Sequence, residues 1–144
     1  MASNEDAKVL LQCYDLRREA QMRTARDWVL SFQPRSYEEL KEVATVFGAD
    51  KNQHWRQVTS YWEMVFSLAN HRALDASLLL DNCGEGLIIF ARVKPHLEQL
   101  RKDAGSPRMF KQAEDFVNSS SASQDRFKFF EDRVRRMAAA TQGK

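Results

Sequence analysis

Glu63 is the acidic residue with the most distinctive surroundings, since it follows Tyr61 and Trp62 and precedes Phe66. A carboxyl held among aromatic rings is poorly solvated, and poor solvation lifts its pKa toward the range in which general acids work. Arg56, Ser60 and Asn70 fall on the same polar stripe, so Arg56, Ser60, Glu63 and Asn70 form a candidate polar groove. The competing reading is a solvated stripe on a mostly buried helix, and the spacing favours it. Cys83 sits on an apolar seam, where a thiol acts as a small hydrophobe with a raised pKa. Cys13 is more reachable but has no base beside it in the sequence. His54, His71 and His96 are not paired at i, i+4, and neither HExxH nor a Cys/His cluster occurs. The glycines of Cys83-Gly84-Glu85-Gly86 lie inside a helical pattern, not between a strand and a helix, so no phosphate loop is expected. No catalytic residue, metal or cofactor is therefore assigned, and the balance leans away from an enzyme.

The elements that must hold these residues read as helices. Residues 5–32 contain neither Gly nor Pro and predict one long helix ending before Pro34. Ser36 and Glu39 have capping-box spacing, and Gly48 stands where a helix C-cap is expected, giving a helix near 37–47. Asp50 and Gln53 open the next, which runs to about Asn70. There Trp55, Val58, Trp62, Val65 and Ala69 step by three and four, and Tyr61, Phe66 and Leu68 widen the apolar face. A helix apolar over most of its circumference is surrounded by others, which puts this one at the centre. From a cap at Asp75, the residues Leu79, Cys83, Gly86, Phe90, Val93, Leu97 and Leu100 keep a heptad-like seam to about residue 103. Gly86 invites a bulky side chain of the central helix, and Pro95 should kink the helix near 91–94. The alternative, strands at 76–80 and 87–93 joined through DNCGEG, lacks period-two alternation. Ser106-Pro107 predicts a helix at 107–117, residues 118–123 a loop, and 124–139 a last helix.

The expected fold is thus an all-α, single-domain bundle of about six helices over residues 1–144. The long first helix carries two stripes that do not join: Val9, Cys13, Leu16 and Ala20, then Met22, Ala25, Val29 and Phe32. Twenty-eight residues at 1.5 Å each span about 42 Å, roughly the diameter of such a domain. Its first half is therefore expected to project, with Val9, Cys13, Leu16 and Ala20 as an interface between copies, a dimer being the favoured homo-oligomer.

Charge adds exclusions. Lys plus Arg number 22 against 20 Asp plus Glu, a formal net of +2, too little to draw the whole surface to nucleic acid. Arg17, Arg18, Arg23 and Arg26 alternate with Asp15, Glu19 and Asp27. Arg126, Lys128, Arg133, Arg135 and Arg136 alternate with Asp125, Glu131 and Asp132. Mixed signs of this kind mark solvent faces, so weak nucleic-acid binding through the first and last helices ranks third. Residues 73–91 hold Asp75, Asp81 and Glu85 without a basic partner, an acidic start that suits a helix dipole. No apolar run approaches a membrane span of about 20 residues. The start, MASNEDAKVLL, lacks the features of a secretory signal, and cytoplasm is the expected compartment.

From Tyr61 onward the chain resembles an uncharacterised bacterial family of small helical domains of unknown function. The resemblance rests on Tyr61-Trp62-Glu63, Leu74-Asp75, Lys94-Pro95, Leu100-Arg101, Gly105 and the Phe110 to Phe116 segment, over residues 20–118. Many members of that family look membrane-anchored by an N-terminal apolar helix; this chain carries EDAKVLLQCYDLRREAQ there instead. The resemblance implies no catalytic residues. A non-enzymatic interaction module that self-associates through its N-terminal helix is the leading expectation, with a ligand-binding or enzymatic groove at Glu63 as the alternative.

Overall fold

A computed structural model describes residues 1–142. Among them are nine α-helices and no strand: α1 Asn4–Arg17, α2 Ala20–Ser31, α3 Tyr37–Thr45, α4 Asp50–Asn70, α5 Ala76–Leu80, α6 Gly84–Val93, α7 Leu97–Ala104, α8 Lys111–Asn118 and α9 Ser121–Gln142. A single 3-10 turn, Lys94–His96, joins α6 to α7. The all-α expectation holds; the count of six does not, because side chains cap the chain at points where periodicity alone runs on.

α4 is the hub, in contact with α2, α3, α5, α6 and α8. Trp55, Val58, Trp62, Val65, Phe66 and Ala69 are all buried along it. All seven seam residues from Leu79 to Leu100 are buried as well. Gly86 permits the closest approach in this core. A β-carbon built there would stand 2.8 Å from both the Phe66 and Trp62 rings, so only a glycine fits.

The single helix predicted over 5–32 is two. Glu19 turns extended, and its carboxylate accepts the Met22 N–H at 2.9 Å, capping α2 anew. That break is why the two stripes do not join: each half meets α4 on its own face. Nor does the first half project. Cys13 is 5% exposed, its carbonyl accepts the Tyr61 hydroxyl at 2.6 Å, and Asp6 accepts the Asp75 N–H at 2.9 Å. Those contacts, with Trp28 beside His54, run α1 and α2 end to end and antiparallel to α4.

Three further boundaries move. The seam helix of 75–103 is interrupted at Asp81–Cys83, turn-forming residues where the Asn82 N–H returns to Leu79, and again by the 3-10 turn at Pro95. The helix predicted from 107 starts at Lys111. Phe110 before it is left-handed at φ 58°, a conformation that places its buried ring against Trp55 and Phe90. The loop predicted at 118–123 is two residues long, since the Ser120 hydroxyl accepts the Ser123 N–H at 3.0 Å and starts α9 at Ser121. Phe127 and Phe130 then seat α9 on α6 and α8 of its own bundle.

Candidate functional site

Two concave regions flank α4. The first is a cleft of about 700 Å³ whose lining includes Phe47, Arg56, Ser60, Glu63, Arg108 and Met109. Three of the four predicted groove residues meet there. Asn70 does not; its amide donates to the Gln112 carbonyl and side chain, each at 2.9 Å. Arg56 lies over the Phe47 ring, 5.5 Å from its centroid.

Glu63 proves special for a different reason. Its two oxygens accept the N–H groups of Gln112 and Ala113 at 2.9 and 3.0 Å. Those amides open α8, whose own N-cap residue, Phe110, supplies no side-chain bond. Glu63 therefore caps α8 from a neighbouring helix, and its negative charge sits at the positive end of the α8 dipole. Replacing it with alanine orphans both amides and should destabilise the fold by about 2 kcal/mol in urea unfolding.

The pH dependence follows from burial. Desolvation raises the Glu63 carboxyl above 4.5, outweighing the two amides that lower it. The folded chain thus holds this proton more tightly than the unfolded chain does. The proton-linked part of its contribution is complete below the unfolded value and is lost as pH rises through the folded one, leaving the two capping bonds of the carboxylate. Measured against Glu63→Gln, which has no such proton, wild-type stability should decline over the window just above pH 4.5. A flat or rising difference contradicts the assignment.

The second region is an apolar cavity of about 240 Å³ between α1, α4 and α5, walled chiefly by Leu10, Cys13, Tyr61, Trp62, Val65 and Leu79. Leu11, Tyr14, Arg17 and Asn82 also line it. The predicted interface stripe divides here. Val9 packs against the core and Cys13 is buried, whereas Leu16 is 56% exposed and Ala20 lies exposed at the start of α2. Leu11 and Tyr14, absent from the predicted stripe, are 65% and 50% exposed. The reversal follows from the break at Glu19, which lets α1 rotate Val9 and Cys13 onto α4. Burial raises the Cys13 thiol and pushes Cys83 up to about 12, so both sulfurs are poor nucleophiles.

Beside the cavity lies a cluster that sequence reasoning missed. Arg26 of α2 holds Glu85 of α6 through both carboxylate oxygens, at 2.7 to 3.0 Å, and the Trp62 indole N–H donates to Glu85 at 3.0 Å. Its trace was the acidic stretch 73–91 without local basic partners: Glu85 finds its cation on another helix, while still standing in the first turn of α6. The three histidines lie apart, His54 by Trp28, His96 by Tyr37 and His71 on the Ser67 carbonyl. Among the described residues no cluster of His, Cys, Asp and Glu could hold a metal ion, and no helix is long and apolar enough to cross a membrane.

A family model described as "Domain of unknown function (DUF4760)" matches residues 2–120. That span contains both concave regions and covers α1, beyond the stretch on which the sequence resemblance rested. No curated protein and no solved structure matches the chain.

Proposed function

Because the chain belongs to the DUF4760 family, a domain of unknown function, its role must be read from its own surfaces, and we propose that it is a non-enzymatic helical binding module that self-associates through α1. One observation carries this reading. Of the eight large apolar side chains exposed among the described residues, three, Leu11, Tyr14 and Leu16, stand on α1. Apolar residues gathered on one helix favour association over solvation. The face differs from the predicted one: Leu11 and Tyr14 stand about 60° apart on α1 and form it, while Leu16 lies about 140° round the helix from Leu11.

The inward contacts of α1 also decide the experiment. Deleting residues 1–20 would remove Cys13 and the Tyr61 bond from the core, so loss of association could follow from unfolding. Leu11→Glu with Tyr14→Glu leaves those contacts in place. Sedimentation equilibrium should give a dimer for the intact chain and a monomer of 16.7 kDa for the double variant, with equal helical dichroism. A wild-type monomer at high concentration, or a variant that still dimerises, removes the proposal. Both thiols are free, in keeping with a cytoplasmic setting for such a module.

A second reading keeps support from the 700 Å³ cleft, which would take a ligand against Arg56, Ser60 and Glu63. In that reading Glu63 shapes the floor while it caps α8. Saturable small-ligand binding abolished by Arg56→Ala would favour it over self-association.

A further inference from the structure

We propose that the cavity between α1, α4 and α5 binds a free amphiphilic carboxylate, its acyl chain inside and its head on Arg17. The walls are aliphatic and aromatic, and the volume of about 240 Å³ suits one chain, not a drug-sized molecule. At ~30 Å³ per water-sized group, such a space holds a chain of about eight carbons. The polar end of the site is a cation. Arg17 lines the cavity half-buried, its guanidinium carbon 4.9 Å from the Tyr14 ring centre and 5.5 Å from that of Trp62.

Both rings hold that guanidinium in place through cation–π attraction. Yet among the described residues its five N–H donors reach no protein acceptor, and Arg17 forms no ion pair. Glu85, the acid on this side of Trp62, is already closed by Arg26 and the indole. The Tyr61 hydroxyl is engaged with the Cys13 carbonyl. Charge at the cavity is therefore uncompensated and positive, and a guanidinium fork fits a carboxylate through two parallel bonds. An apolar body and an anionic head are the two properties the site selects. Leu11 and Tyr14 belong both to this lining and to the proposed α1 interface, whereas the Arg17 contact is no part of that interface and is tested separately.

Titration calorimetry of the intact chain with octanoate, and with octanol as the neutral probe of equal length, tests the assignment. Octanoate should bind saturably, one per chain, at least tenfold more tightly than octanol. Arg17→Gln should bring octanoate down to the octanol level while helical dichroism at 25 °C stays as in wild type. Arg17→Lys should keep part of the preference, since the charge remains and only the fork is lost. Equal affinity for the two probes overturns the proposal. So does a folded Arg17→Gln chain with wild-type octanoate affinity. Binding to phosphatidylglycerol vesicles without binding of octanoate would assign the anion preference to a lipid headgroup surface and overturn it equally.

Discussion

Gly86→Val is expected to destabilise the fold by about 3 kcal/mol, the upper end of the usual overpacking range. In most helices a glycine is a weakness, and alanine would be favoured by about 1 kcal/mol. Here the first added carbon already falls 2.8 Å from ring atoms of Trp62 and Phe66, both within 4% of full burial. Neither ring has room to retreat, since Trp62 packs on Tyr61 and Phe66, and Phe66 on Phe116. Gly86→Ala should therefore lose stability despite its better helix propensity. Combining Gly86→Val with Phe66→Leu should recover part of the loss, a coupling that equilibrium unfolding of all three variants measures. A Gly86→Ala chain that melts higher than wild type would show that α6 does not approach α4 so closely.

Glu85→Ala is expected to cost a similar amount, about 3 kcal/mol, the lower end of what breaking a buried ion pair removes. The Glu85 side chain is 9% exposed and Arg26 25%, so solvent screens the cation somewhat and the acid hardly at all. Truncation leaves Arg26 without its counter-charge and Trp62 without its acceptor. Glu85→Gln should fall between, because an amide oxygen still takes one of these donors. The cycle of Glu85→Ala with Arg26→Ala separates the pair from the individual losses, and additive effects would contradict a direct coupling. These two adjacent residues tie α6 to both α2 and α4, and Trp62 takes part in both contacts.

The legibility of this fold in the sequence follows from the range of the forces involved. Steps of three and four marked the buried face of α4 and every residue of the Leu79–Leu100 seam, because burial of a helical stripe is a local pattern. Gly86 was legible for the same reason. Helix ends were legible only in part: the caps at Ser36 and Asp75 and the span Asp50–Asn70 stand as read, and others do not. Glu19 and Ser120 restart helices through their own side chains, and nothing in periodicity distinguishes a capping Glu or Ser from a solvated one. Harder still are remote caps. Arg92 is buried with its guanidinium on the Val29 and Leu30 carbonyls at the end of α2, and Asn52 is buried against the Val43 carbonyl of α3. Such roles depend on which helix end arrives beside them, which is a property of the assembled bundle.

The candidate sites divide in the same way. Glu63 is conspicuous in the sequence for its aromatic neighbours, but the partners that define its place, the amides of Gln112 and Ala113, lie some fifty positions along the chain. Two residues of the α1 stripe, Val9 and Cys13, turn inward and two, Leu16 and Ala20, stay exposed, because the extended Glu19 sets the rotation of α1 relative to α2. Once that turn is made, Leu11 and Tyr14 are left facing solvent above an apolar cavity, the arrangement from which the proposed role follows.

Amide chemical shifts recorded over a hundredfold range of protein concentration test that role most directly. Self-association through α1 predicts concentration-dependent shifts centred on Leu11 and Tyr14, with α3, Phe47 and Arg56 unchanged. Spectra that do not vary with concentration, or shifts centred instead on Phe47 and Arg56, would contradict it.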